Sequence, residues 1–98
     1  MKIYLLTQEE NNKYDTYDSC VVIAEDEESA KFIHPNEYFM FDIDGNVLYS
    51  NGEDAFKDCF GSNPTGWVSD IKYINVKYLG EAKKGSKKGV VCSSCNAG

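Results

Sequence analysis

Arginine is absent from this sequence, and all ten of its basic residues are lysine. The planar guanidinium binds phosphate or guanine through two parallel hydrogen bonds, so its absence disfavours direct recognition of a nucleic acid. Histidine is nearly absent as well, which leaves any imidazole-based catalysis to His34 alone. The sequence has no Ser-His-Asp spacing, no glycine-rich phosphate loop and no helix-borne histidine pair. We therefore expect a protein that is not an enzyme.

Long hydrophobic stretches are also missing. No apolar run approaches the roughly 18 residues that a membrane span needs. The N-terminus has no basic segment followed by an apolar one, so a signal peptide is not expected. These absences predict a cytoplasmic protein without a membrane partner. In such a reducing compartment, cysteines are thiols or metal ligands more often than structural disulfides.

Charge is unevenly distributed along the chain, whose net charge is −6. Residues 1–58 contain 14 acidic residues and 4 lysines, whereas residues 59–98 contain 2 acidic residues and 6 lysines. An acidic surface on the N-terminal half would attract a basic protein partner by electrostatic steering. The alternative is that the acidic residues serve solubility alone.

The pattern of apolar residues predicts a single α+β domain that spans residues 1–98. We expect a four- or five-stranded, mostly antiparallel sheet with two short helices packed against it. Asp44-Gly45 supplies the positive φ that a tight hairpin turn requires. The predicted strands lie at 3–6, 20–24, 38–42, 47–49, 71–79 and from residue 90 onward, and the second helix lies at 53–60.

The first predicted helix begins after Asp26, a residue type favoured at the N-cap. Glu27 and Glu28 follow in its first turn, where carboxylates interact favourably with the helix dipole. Pro35 ends this helix and leaves His34 in its last turn, where an imidazolium would be favoured by the dipole.

Three further expectations concern the C-terminal half. Trp67 is expected to cap the core, and strand 71–79 to contain a phase slip or bulge near Tyr73. The lysine-rich stretch 83–88 is expected to be an exposed hairpin connection into a buried terminal strand that begins at Val90.

Cys92 and Cys95 frame a stretch of small polar residues that predicts a turn. On a turn, two thiolates three positions apart can bind one tetrahedral zinc ion. With Cys20 and Cys59 they complete a set of four thiolates, so we predict one zinc ion per chain in a closed structural site, with His34 as a reserve ligand. Two alternatives remain open, which are free buried thiols and a redox-active pair formed by Cys92 and Cys95.

The chain resembles a small protein family encoded by bacteriophages and prophages. The resemblance is carried by residues 1–8 with 14–18, by the helix end at 30–35 with its Ile33-His34-Pro35, and by 90–92 with 96–98. Relatives in that family carry an aromatic residue where Cys95 stands, which implies that the metal site is particular to this chain.

In size, charge and origin the chain also resembles anti-CRISPR proteins. That resemblance implies an inhibitor that acts in the host cytoplasm by binding a Cas nuclease directly, with Cas9 as the first candidate. The alternative function from the residues themselves is a thiol–disulfide redox protein that uses Cys92 and Cys95.

Overall fold

The computed structural model describes residues 1–10, 16–56 and 65–96, with side chains as far as residue 94. The predicted antiparallel α+β architecture is confirmed, but it has two sheets, and its described part contains one α-helix where two were expected. In chain order the elements are β1 (Lys2–Gln8), β2 (Thr16–Ala24), α1 (Glu27–Lys31), β3 (Phe39–Phe41), β4 (Val47–Tyr49), a 3-10 turn (Ile71–Tyr73), β5 (Ile74–Glu81) and β6 (Gly89–Asn96).

The larger sheet has the strand order β5-β1-β2-β6, and its neighbouring strands are antiparallel. Buried residues alternate with more exposed ones along β1 and β2, so one face of the sheet lies on the core. α1 contacts β1, β2 and β5, and its Ala30 is fully buried. The core residues are Tyr4, Leu6, Cys20, Val22, Ala24, Ala30, Phe41, Val47, Ala55, Trp67, Val68 and Ile74.

α1 begins as the sequence predicts but ends early. The backbone N–H of Ser29 donates to Oδ1 of Asp26 over 2.8 Å, which confirms the N-cap. The helix ends at Lys31, with Phe32 as its C-cap, so His34 lies beyond the helix and not in its last turn. Pro35 explains the difference, because a proline disfavours helical backbone angles at the residue before it.

The β3–β4 hairpin closes at the predicted Asp44-Gly45 turn. One carboxylate oxygen of Asp42 accepts hydrogen bonds from the backbone N–H groups of Asp44 and Asn46, each over 2.9 Å. Gly45 has a φ of 87°, a conformation that residues with a Cβ rarely adopt. The hairpin prediction is confirmed.

The second predicted helix, 53–60, is wrong where the structure describes it. Residues 53–56 are irregular because their backbone groups bond to β4 instead of to one another. The N–H of Tyr49 donates to the carbonyl of Glu53 over 2.7 Å, and the N–H of Ala55 donates to the carbonyl of Val47 over 3.2 Å. Positions 57–60 lie outside the described residues.

Three expectations for the C-terminal half need correction. The backbone forms a 3-10 turn at Ile71–Tyr73, and the strand starts only at Ile74, so the predicted phase slip is a strand boundary. The connection after β5 is exposed at its lysines but is not a hairpin, because β5 and β6 occupy opposite edges of the sheet. β6 is therefore an edge strand, and Val90 and Val91 are 41% and 57% exposed where burial was expected.

Two remaining points concern Trp67 and the helices. Trp67 is fully buried and belongs to the core. Within residues 1–10, 16–56 and 65–96, no helix has the length and apolarity that crossing a membrane requires.

Candidate functional site

The two C-terminal cysteines lie on a strand and not on a turn. β6 continues without a break through both positions, and its Cys92 and Cys95 have Val21 and Tyr17 of β2 as Cα partners. Ladder pairing of the intervening serines with β2 keeps the backbone extended. The turn on which the paired-thiolate prediction depends is therefore absent.

Cys20 and Cys92 are electrostatic neighbours on adjacent strands. Burial, and secondarily the proximity of Cys92, raises the pKa of the Cys20 thiol to about 12, while Cys92 is exposed. Cys59 and the side chain of Cys95 lie outside the described residues. In the described part of the chain no three His, Cys, Asp or Glu side chains are grouped as metal ligands would be. In the register of β2 and β6, Cys20 lies opposite Ser93 and Cys92 opposite Val21, so one thiol is buried and the other exposed. The four-cysteine zinc site stays a prediction.

His34 is a neutral core residue. It is 8% exposed, and its ring lies 5.5 Å from that of Phe39 and 5.3 Å from that of Phe41. Burial lowers the pKa of His34 to about 4, so at neutral pH it is not the helix-terminal cation that the sequence predicts. Its Nδ1 accepts a hydrogen bond from the backbone N–H of Asn36 over 3.0 Å.

A run of acidic residues precedes and opens α1. We call residues 25–28 (Glu-Asp-Glu-Glu) the acidic segment, and all four are exposed. Hydrogen bonds from Ser29 to the Asp26 carboxylate lower the pKa of that group. Among the described residues one ion pair within 4 Å is present, between Glu28 and Lys31 at 3.8 Å. The other three carboxylates of the acidic segment make no ion pair within 4 Å with another described residue.

A surface cavity of about 660 Å³ lies beside the acidic segment. Two of its lining residues form an aromatic pair on neighbouring strands, since Tyr4 of β1 and Tyr78 of β5 are Cα partners. Their ring centroids are 5.9 Å apart, with the planes inclined at 61° in an edge-to-face arrangement. We call this the tyrosine–acid cavity, which is lined by Lys2, Tyr4, Asp26, Glu27, Glu28 and Tyr78.

Sequence reasoning identifies the acidic half of this cavity but not the aromatic half. The N-cap pattern places Asp26, Glu27 and Glu28 at a helix start, as observed. The predicted strand 71–79 contains Tyr78, but no sequence signal pairs that strand with the first one. The tertiary pairing of β1 with β5 creates the site.

Comparison with known proteins gives no match. No family model, curated protein or solved structure matches this chain. Function is therefore inferred from the chemistry of the described residues.

Proposed function

We propose that this chain is a phage-encoded, non-enzymatic anti-defence protein that binds a basic host protein directly. The acidic segment is its principal contact surface, and it acts in the host cytoplasm. A Cas nuclease, with Cas9 as the first candidate, is the partner, as for an anti-CRISPR protein.

One observation carries this proposal, namely four consecutive exposed acidic residues beside a cavity that is also lined by two tyrosines. Asp26 caps α1 and so fixes the backbone of the segment. Glu28 makes the one described ion pair, and its 3.8 Å separation and exposure make that pair weak. A basic partner can therefore bind these carboxylates while few contacts within the chain have to break.

We further propose that a zinc ion held by Cys20, Cys59, Cys92 and Cys95 stabilises the fold. The observation that supports this proposal is that Cys20 and Cys92 lie on the neighbouring strands β2 and β6. Soft thiolate ligands in a reducing compartment favour zinc, and a metal bound only by the folded chain adds to its stability. The site would join the edge strand β6 to its neighbour.

The test is inhibition of purified Cas9 DNA cleavage by increasing amounts of the full chain. We expect inhibition to be complete near one molecule per nuclease and to weaken as the salt concentration rises. Affinity capture from a bacterial host lysate should recover the same nuclease or another defence protein. No inhibition, together with no captured defence protein, contradicts the proposal.

A matched pair of triple variants tests the surface. Changing Glu25, Glu27 and Glu28 together to glutamine removes three charges from the acidic segment and should weaken inhibition. The control changes Glu9, Glu37 and Glu53, which are also exposed, to glutamine and alters the net charge equally. Equal loss in both variants would mean that overall charge, and not this surface, governs binding.

A further inference from the structure

We propose that the tyrosine–acid cavity binds an arginine side chain of the partner protein. The inference rests on the proposed function in one respect, because the arginine belongs to the basic partner that the acidic segment attracts. It adds the specific group that the cavity recognises.

The aromatic pair provides a surface for a planar cation. Tyr78 is half exposed, and its edge-to-face contact with Tyr4 holds the ring in place. A guanidinium stacks on a tyrosine face and is attracted by the negative potential of the ring. Since Tyr78 is on the edge strand β5, a side chain can approach it from solvent.

The hydroxyl of Tyr4 adds a hydrogen-bonding group to the lining of the cavity. Tyr4 is 3% exposed and is one of the residues that line the cavity. A phenol oxygen can accept a hydrogen bond from a cationic N–H group. A guanidinium offers such donors in addition to the plane that stacks on an aromatic ring.

The carboxylates that line the cavity favour a cation. The lining contains three carboxylates, those of Asp26, Glu27 and Glu28, and one ammonium group, that of Lys2. Its net charge is therefore negative. Asp26 already accepts a hydrogen bond from the backbone N–H of Ser29, whereas Glu27 forms no ion pair with any described residue. Arginine fits this set better than lysine, because its forked donors bind a carboxylate bidentately while its plane stacks on an aromatic ring.

The test is a titration of the ¹⁵N-labelled full chain with the peptide acetyl-Gly-Arg-Gly-amide, followed by amide chemical shifts. The control peptide carries citrulline, which has nearly the shape of arginine without its charge. We expect the arginine peptide to shift the amides of residues 2, 4, 26–28 and 78, and the citrulline peptide to leave them unchanged. Equal shifts with both peptides, shifts of other amides, or no shifts at about 10 mM peptide would overturn the inference. A Kd of about 10 mM is weak binding for a single side chain, and it would still be detected at that concentration.

Two pairs of variants assign the groups involved. Tyr78→Leu should weaken arginine-peptide binding about two- to fivefold, the magnitude of an exposed cation–π contact. Tyr73→Leu, at a tyrosine of similar exposure outside the cavity, should have no effect. Glu27→Gln, with Glu53→Gln as its control, tests the carboxylate in the same way. This second pair also tests the inference if Tyr78→Leu does not fold. Unchanged binding in both cavity variants contradicts the inference.

The outcome can be separated from that of the proposed function. If the chain inhibits Cas9 but the arginine peptide does not bind in the cavity, the function stands and this inference is wrong. If the peptide binds in the cavity but the chain inhibits and captures no defence protein, the cavity is an arginine site and the assigned partner is wrong.

Discussion

The backbone N–H of Asn36 donates a hydrogen bond to Nδ1 of His34 over 3.0 Å. Because Nδ1 is the acceptor, the neutral ring carries its proton on Nε2, a buried atom without a hydrogen-bond partner in the described part of the chain. A second proton would go onto Nδ1, where it would face the N–H of Asn36. His34 is thus built into the fold as a neutral group.

We predict that His34 makes the fold less stable in mild acid. Its pKa is about 4 in the folded protein and 6.5 in an exposed chain, so below pH 6.5 the unfolded state takes up a proton that the folded state does not. Stability should fall as the pH drops from 6.5 to 4 and change no further below 4 from this source. Between pH 7 and pH 5 the loss is about 2 kcal/mol. Urea unfolding of the wild type and of His34→Gln at both pH values measures it, since the acidic residues are common to both proteins. Equal pH dependence in the two proteins would refute the prediction.

The turn at Gly45 should tolerate substitution less well than the turn at Gly52. Both glycines have positive φ, 87° and 93°, so alanine is strained at either position. At Gly45 the added Cβ would also lie 2.8 Å from Cγ1 of Ile71, whereas at Gly52 it meets nothing within 4 Å. We expect Gly45→Ala to lower the free energy of unfolding by about 1 kcal/mol more than Gly52→Ala, the cost of a crowded contact. Chemical unfolding of both variants gives this difference. Equal losses would mean that Ile71 moves aside freely.

Substitution of Trp67 should lower the free energy of unfolding more than substitution at most other positions in the chain. Trp67 is completely buried, and its replacement by alanine leaves a large cavity that costs about 3–5 kcal/mol. The matched control is Ile43→Ala, since Ile43 is 92% exposed and should change stability by less than about 0.5 kcal/mol. Thermal unfolding followed by circular dichroism measures both. A small loss at Trp67 would contradict its place in the core.

Thiol labelling separates free thiols from the proposed zinc site. In the metal-free folded chain, Cys92 should react quickly at pH 8 and Cys20 very slowly, because only the thiolate reacts and burial raises the pKa of Cys20 to about 12. If zinc is bound by the four cysteines, Cys92 should also be protected, and a chelator should both restore its labelling and lower the melting temperature. Elemental analysis should find one zinc ion per chain. Rapid labelling of Cys92 in protein purified without a chelator, with no zinc detected, would refute the metal site.

Local chemistry in the sequence predicts the features that depend on near neighbours. Asp26 caps a helix because its side chain reaches an N–H three residues ahead, and Asp44-Gly45 turns because glycine permits positive φ. The apolar runs at 3–6 and 20–24 likewise identify the strands β1 and β2. In each case the interacting groups are close along the chain, or the apolar residues themselves indicate which segment is buried.

Contacts between distant segments decide the rest. Residues 53–56 have apolar positions compatible with a helix, but their backbone groups form hydrogen bonds with β4 instead. Residues 92–95 have the composition of a turn, yet ladder pairing with β2 holds them extended and removes the geometry that the zinc prediction assumed. The tyrosine–acid cavity exists because β1 pairs with β5 and sets Tyr4 beside Tyr78. The sequence by itself determines the helix cap, the hairpin and the acidic segment, whereas strand order, edge exposure and the aromatic pair follow from which backbone hydrogen bonds form across the whole fold.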